Sequence, residues 1–162
     1  MKTIGMIGGM SWESTLTYYQ LVNERIKDAL GGLHSAKVLL YSVEFHEIEA
    51  FMSAGDWDGA AECLGDIAVR LEKAGADFIL ICTNTLHKVA PQVRSRLNAP
   101  LVHIADAAAD ELLARGIKRV GLLGTKYTMT QEFYRDILVA RGIDIVIPQE
   151  DDIELVNRVI FE

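Results

Sequence analysis

Short apolar runs alternate with helix-periodic segments along the whole chain, and glycine or proline marks most of the changes between them. That alternation constrains the fold more than any other feature. Strands are expected over residues 3–7, 37–43, 78–81, 101–104, 119–123 and 143–147. Helices are expected over 12–30, 46–52, 57–73, 85–97 with a bend at Pro91, 106–115, 130–141 and 151–162. Leu16, Tyr19, Val22, Ile26 and Leu30 recur at helical spacing, as do Ala60, Leu64, Ile67, Ala68 and Leu71. In the last segment Ile153, Val156, Val159 and Ile160 form the apolar stripe. Strand and helix in strict succession define an α/β fold, a parallel-sheet αβα sandwich. Its ligands gather beyond the carboxyl ends of the strands. That rule brings three loops to one rim: residues 8–11, 82–85 and 124–128.

Composition removes several function classes. Half of the 162 residues are hydrophobic, enough for a sizeable core. The formal net charge is −7 and no basic block occurs, so nucleic acid is not an expected partner. No apolar stretch approaches the length of a membrane span, and the start of the chain lacks a signal-peptide pattern. The two cysteines, Cys63 and Cys82, offer no disulfide framework and no metal-ligand spacing. Reduced thiols without an export signal make the cytoplasm the expected compartment.

The stretch Phe78-Ile-Leu-Ile-Cys82-Thr83-Asn84-Thr85-Leu86-His87-Lys88 carries the most chemistry. A buried strand delivers a thiol to the rim, and three small polar residues follow. Free cysteines are among the most buried residues, so a core role for Cys82 has to be weighed. Against it stand the hydroxyls, amide and free N–H groups of a helix start at Thr83, Asn84 and Thr85. Such a start binds carboxylates and favours thiolate over thiol. Cys63, inside an amphipathic helix, reads as filler. The first loop, with its G-x-x-G-G spacing, is not a dinucleotide fingerprint. Its glycines are expected to let the backbone approach a small ligand, with Ser11 as helix cap. In the third loop Thr125 and Thr128 stand where an anion would bind, and Thr128 or Thr130 can equally cap the next helix. His103 is either a rim residue or structural, and His87 is structural or partly exposed. No Ser/His/Asp triad or Gly-x-Ser-x-Gly occurs.

Three loops and one further motif together resemble one family. Gly8-Gly9-Met10-Ser11-Trp12-Glu13-Ser14-Thr15, the Cys82–Lys88 motif, His103-Ile-Ala-Asp106 and Gly124-Thr125-Lys126-Tyr127-Thr128-Met129 are similar to the aspartate/glutamate racemases. The nearest likeness is to the broad-specificity amino-acid racemases of bacteria. The resemblance implies a racemase that works without pyridoxal phosphate or any other cofactor, on a small amino-acid substrate such as aspartate or glutamate. Two cysteines on opposite faces of the α-carbon exchange its proton. Cys82 matches the first of them. Thr83 and Asn84 match the substrate-binding positions beside it, Thr128 a threonine that holds the substrate carboxylate, and Met10 and Ser11 the first-loop lining. A homodimer is compatible with the resemblance.

The same resemblance implies two pseudosymmetric α/β lobes. Residues 1–100 then form the first lobe and 101–162 a partial second. The family's second cysteine sits on a Gly-Cys-Thr-Glu-like motif that these 162 residues do not contain. The expectation is a C-terminally truncated racemase, impaired in catalysis, since the family's final segment also returns to the first lobe. Two alternatives stay open: a carboxylate-binding remnant without turnover, and a related thiol isomerase such as a hydantoin racemase or maleate isomerase.

Overall fold

In the computed structural model, which describes residues 1–161, the chain divides into two compact units. The first is Met1–Val102 and the second begins at His103. Both are α/β with parallel strands.

The first unit is built on β1 (Thr3–Gly8), α1 (Trp12–Leu30), β2 (Lys37–Ser42), α2 (Phe45–Ala54), α3 (Trp57–Lys73) and β3 (Phe78–Ile81). A 3-10 helix (Thr85–Val89) and the short α4 (Ala90–Arg94) follow. β1 lies between β2 and β3, parallel to both, and Ile7 stands level with Tyr41 on one side and Ile81 on the other. The central strand is closely approached. A Cβ on Gly5 would meet Ile79 Cδ1 at 2.6 Å and Ala76 Cβ at 2.8 Å. α3 covers the sheet with the face its periodicity predicts: Ala60, Leu64, Ile67, Ala68 and Leu71 are all buried. Burying a leucine of this kind is worth about 1.5–3 kcal/mol over leaving it in water.

α1 departs from expectation. Its buried residue is Thr15; Leu16, Tyr19 and Leu30 are exposed, and Val22 and Ile26 only half-buried. A helical stripe says that one face is apolar, not that it is covered. Residues 101–104 also differ. Leu101 alone bridges Ile79, flanked by hydrogen bonds from Ile79 N–H to Pro100 O (2.9 Å) and from Val102 N–H to Ile79 O (3.0 Å). His103 then caps the next helix, so no strand forms. The single helix expected over 85–97 is split. Pro91 has no N–H to give to the carbonyl four residues back, His87 O, which accepts instead from Ala90 N–H in the tighter 3-10 pattern.

The second unit contains α5 (Ile104–Ala114), β4 (Arg119–Gly121), α6 (Lys126–Thr130), α7 (Glu132–Ala140), β5 (Asp144–Val146) and α8 (Glu150–Phe161). β4 and β5 pair in parallel as a separate two-stranded sheet. Ala105, Ala109, Leu138 and Ile143 form its core, with Leu112, Val120, Tyr134, Ile137 and Ile145 against them. The helix expected over 130–141 forms as α7, and part of the expected third loop is itself helical as α6; Gln131, extended (φ −95°, ψ 159°), separates the two. Both strands are shorter than expected. Along α8, Ile153 is buried and Val156 half-buried, whereas Val159 and Ile160 are exposed. Glu162 of the expected last helix lies outside the described residues.

Candidate active site

The carboxyl ends of β1 and β3 are neighbours, so the loops after them share one rim of the first unit. The Cys82 N–H continues the ladder by donating to Ile7 O at 2.9 Å. Met10 is buried and Ser11 half-buried on the β1 side. The glycines of this loop are closely packed. Gly9 sits at φ +90°, and a Cβ there would be 2.3 Å from Val43 O; one on Gly8 would be 2.4 Å from Thr15 Cγ2. Thr15 ties the loop together. Its Oγ1 accepts from Gly9 N–H (3.0 Å) and donates to Ser11 O (2.9 Å). Ser11 is the expected cap: Oγ accepts from Ser14 N–H at 3.1 Å and donates to Glu13 Oε2 at 3.1 Å.

On the β3 side Cys82 is 0% exposed, and burial alone pushes its thiol up to about 12 from an ordinary 9.0. Burial thus acts against the expected lowering by a helix N-terminus. The helix is a 3-10 segment of five residues that begins three positions past the thiol, and its cap position, Asn84, makes no side-chain capping bond. So short a helix has little dipole to set against desolvation. Thr83 is half-buried, Asn84 exposed and Thr85 buried. Thr83 is thus the first side chain past β3 to reach the surface. His87, expected to be structural or partly exposed, is 1% exposed, and its Nδ1 lies 2.7 Å from Thr83 O. Lys88 places Nζ 3.9 Å from the ring centroid of Trp57, which fastens the 3-10 helix to the start of α3. Burial lowers the Lys88 pKa.

Cys63 lies in α3, half-buried. Burial raises its thiol pKa first, then the carboxylates of Glu47 and Asp66, with Arg70 opposing. An acidic neighbourhood makes it a poor base at neutral pH.

The third loop follows β4, a strand of the other sheet. There Thr125, and neither Thr128 nor Thr130, caps the helix. Thr125 Oγ1 accepts from Thr128 N–H at 3.3 Å and lies 3.2 Å from Thr128 Oγ1, and Thr128 is 1% exposed. Lys126 N–H donates to Asn157 Oδ1 at 2.7 Å and Lys126 Nζ pairs with Glu154, which fixes this loop to α8. His103 is a cap as well, its Nδ1 accepting from Ala105 N–H at 3.2 Å. Among the described residues no cluster of His, Cys, Asp or Glu could hold a metal ion, and no helix is long and apolar enough to cross a membrane.

Two residues hold the rim in roles the sequence left unstated: Thr15, and His87, one of whose two expected readings was structural. Thr15 follows Ser11 by one helical turn, and His87 follows Thr83 by four residues. Those offsets are the signals that point to them.

A thiol and small polar side chains stand beyond parallel strands, and the comparison with known proteins supplies the class. The family model described as Asp/Glu/Hydantoin racemase matches residues 7–162. A Yersinia pestis protein assigned to the Asp/Glu racemases has 52% sequence identity and a TM-score of 0.94, with 99% of this chain and 70% of that one covered. An aspartate racemase homologue from Pyrococcus horikoshii has 41% identity and a TM-score of 0.87, over 100% of this chain and 71% of that one. The broad specificity amino-acid racemase RacX of Bacillus subtilis is 26% identical over 148 residues, 88% of this chain. The chain belongs to the Asp/Glu/Hydantoin racemase family. It spans 63% of the length of RacX.

Proposed function

We propose that the chain acts in cofactor-independent racemisation of an acidic amino acid, aspartate or glutamate, with Cys82 as one of two proton-transfer groups. The observation that carries this reading is the meeting of the Cys82-Thr83-Asn84 loop with Met10 and Ser11 at the ends of two paired strands. Family membership supplies the reaction class.

The chemistry follows from the residues. Removing an α-proton without an electron sink leaves a carbanion that fixed donors beside the carboxylate must stabilise. Thr83 and Asn84 present a hydroxyl and an amide at the rim; Ser11 already gives its hydroxyl proton to Glu13. Thr125 and Thr128 are proposed as the carboxylate grip of the second unit. With its pKa near 12, Cys82 rests as a thiol. As a thiol it returns a proton to the carbanion, and through its small thiolate fraction it removes the α-proton from the same face, the step that grows with pH. Inversion needs a second group on the opposite face. Cys63 does not fit it, being held as a thiol among carboxylates on α3.

A second reading is a carboxylate-binding protein that exchanges the α-proton on one face without inversion. The burial of Cys82 and the unsuitability of Cys63 favour it for these 162 residues taken alone. Incubating L-aspartate and L-glutamate with the chain and resolving the products by chiral chromatography separates the two. D-enantiomer that appears with wild type and disappears in Cys82→Ser supports racemisation. D-enantiomer formed equally by Cys82→Ser removes Cys82 from the mechanism, and binding without any D-product favours the second reading.

A further inference from the structure

We propose that His87 is the positioning residue of the rim loop: its imidazole sets the backbone conformation that presents Thr83 and Asn84. The proposal rests on the reading that these two side chains hold the substrate carboxylate.

The loop from Cys82 to Asn84 is pinned at both ends. At the front, the Cys82 N–H donates to Ile7 O at 2.9 Å. At the back, one residue captures two successive carbonyls: His87 N–H donates to Asn84 O at 3.0 Å, and His87 Nδ1 lies 2.7 Å from Thr83 O. A carbonyl oxygen only accepts, so Nδ1 carries the proton and the tautomer is fixed. The backbone bond to Asn84 belongs to the 3-10 helix and any residue at 87 can make it. The ring bond to Thr83 O needs a donor at the Nδ1 position. That carbonyl lies before the helix begins, where no helical N–H is assigned to it. The ring is 1% exposed, so the bond is sheltered from competing water.

Two substitutions separate positioning from filling of volume. In His87→Asn the amide nitrogen stands the same number of bonds from Cα as Nδ1, and the Thr83 bond can be remade. In His87→Gln the side chain is closer to histidine in size, but its donor lies one bond further out, at the Nε2 position. Amide hydrogen exchange of residues 83–87 in the ligand-free chain, referred to the β3 amides 79–81, is the first readout. Losing a buried hydrogen bond is expected to speed local exchange about 10-fold in His87→Gln, with His87→Asn within about 3-fold of wild type. Aspartate affinity is the second readout and should fall in the same order. Rescue by Gln as good as by Asn, or no change in either variant, overturns the proposal. Failure of wild type to bind aspartate removes the carboxylate reading, while the exchange experiment still decides what His87 does for the loop.

Discussion

Cys82 is a thiol because nothing compensates its burial. Only desolvation acts on it, and no cation is among its causes. The folded-state pKa of about 12 exceeds the 9.0 of an ordinary cysteine. Below pH 9 both folded and unfolded chains carry the proton, and the group's contribution is fully present. Above it the unfolded chain ionises first, so stability is lost as pH rises between 9 and 12, by about 1.4 kcal/mol per pH unit from this group. Urea titrations at pH 8, 9 and 10 should show that extra slope in wild type and lose it in Cys82→Ala. Equal slopes would mean that Cys82 is not buried as a neutral thiol. The sequence placed Cys82 at a strand end and Ser11 at a cap, since both follow from spacing within a few residues. Burial of the thiol was one of two readings open there, because burial is set by what packs around a strand end and not by the strand's own residues.

At the scale of elements, local signals succeeded where one residue type decides the geometry. Ser11 before Trp12 starts α1, and Ser11→Ala should cost about 1 kcal/mol in chemical denaturation. They failed where the deciding partner was elsewhere. Residues 126–128, expected as a loop, are helical in α6, and Gln131 parts it from α7 with neither glycine nor proline to announce the break. The apolar run over 101–104 looked like a strand, but His103 turns its ring to cap α5 and leaves only Leu101 to bridge Ile79. The periodicity of α1 matched that of α3, yet only α3 is buried. The contrast is measurable. Leu64→Ala, at 0% exposure, should destabilise by about 2–5 kcal/mol, and Leu16→Gln, at 57% exposure, should stay within about 0.5 kcal/mol. A large loss at Leu16 would show that α1 is covered in solution.

For the whole molecule, the alternation of strands and helices was sufficient to read an α/β chain with parallel sheets, and the loop motifs to read its family. The division into units falls after Val102. What the alternation could not give was the separation of β4 and β5 into a sheet of their own, since pairing partners are not encoded in the period of a single strand. The proposed chemistry turns on proton transfer at the α-carbon through Cys82. The direct measurement is loss of the α-proton NMR signal of L-aspartate in deuterium oxide, followed from pH 7 to pH 9. Wild type should exchange the proton, about 10-fold faster for each pH unit as the thiolate fraction grows, and Cys82→Ala should not exchange it above the protein-free rate. Exchange that is independent of pH, or that survives in Cys82→Ala, would contradict the claim.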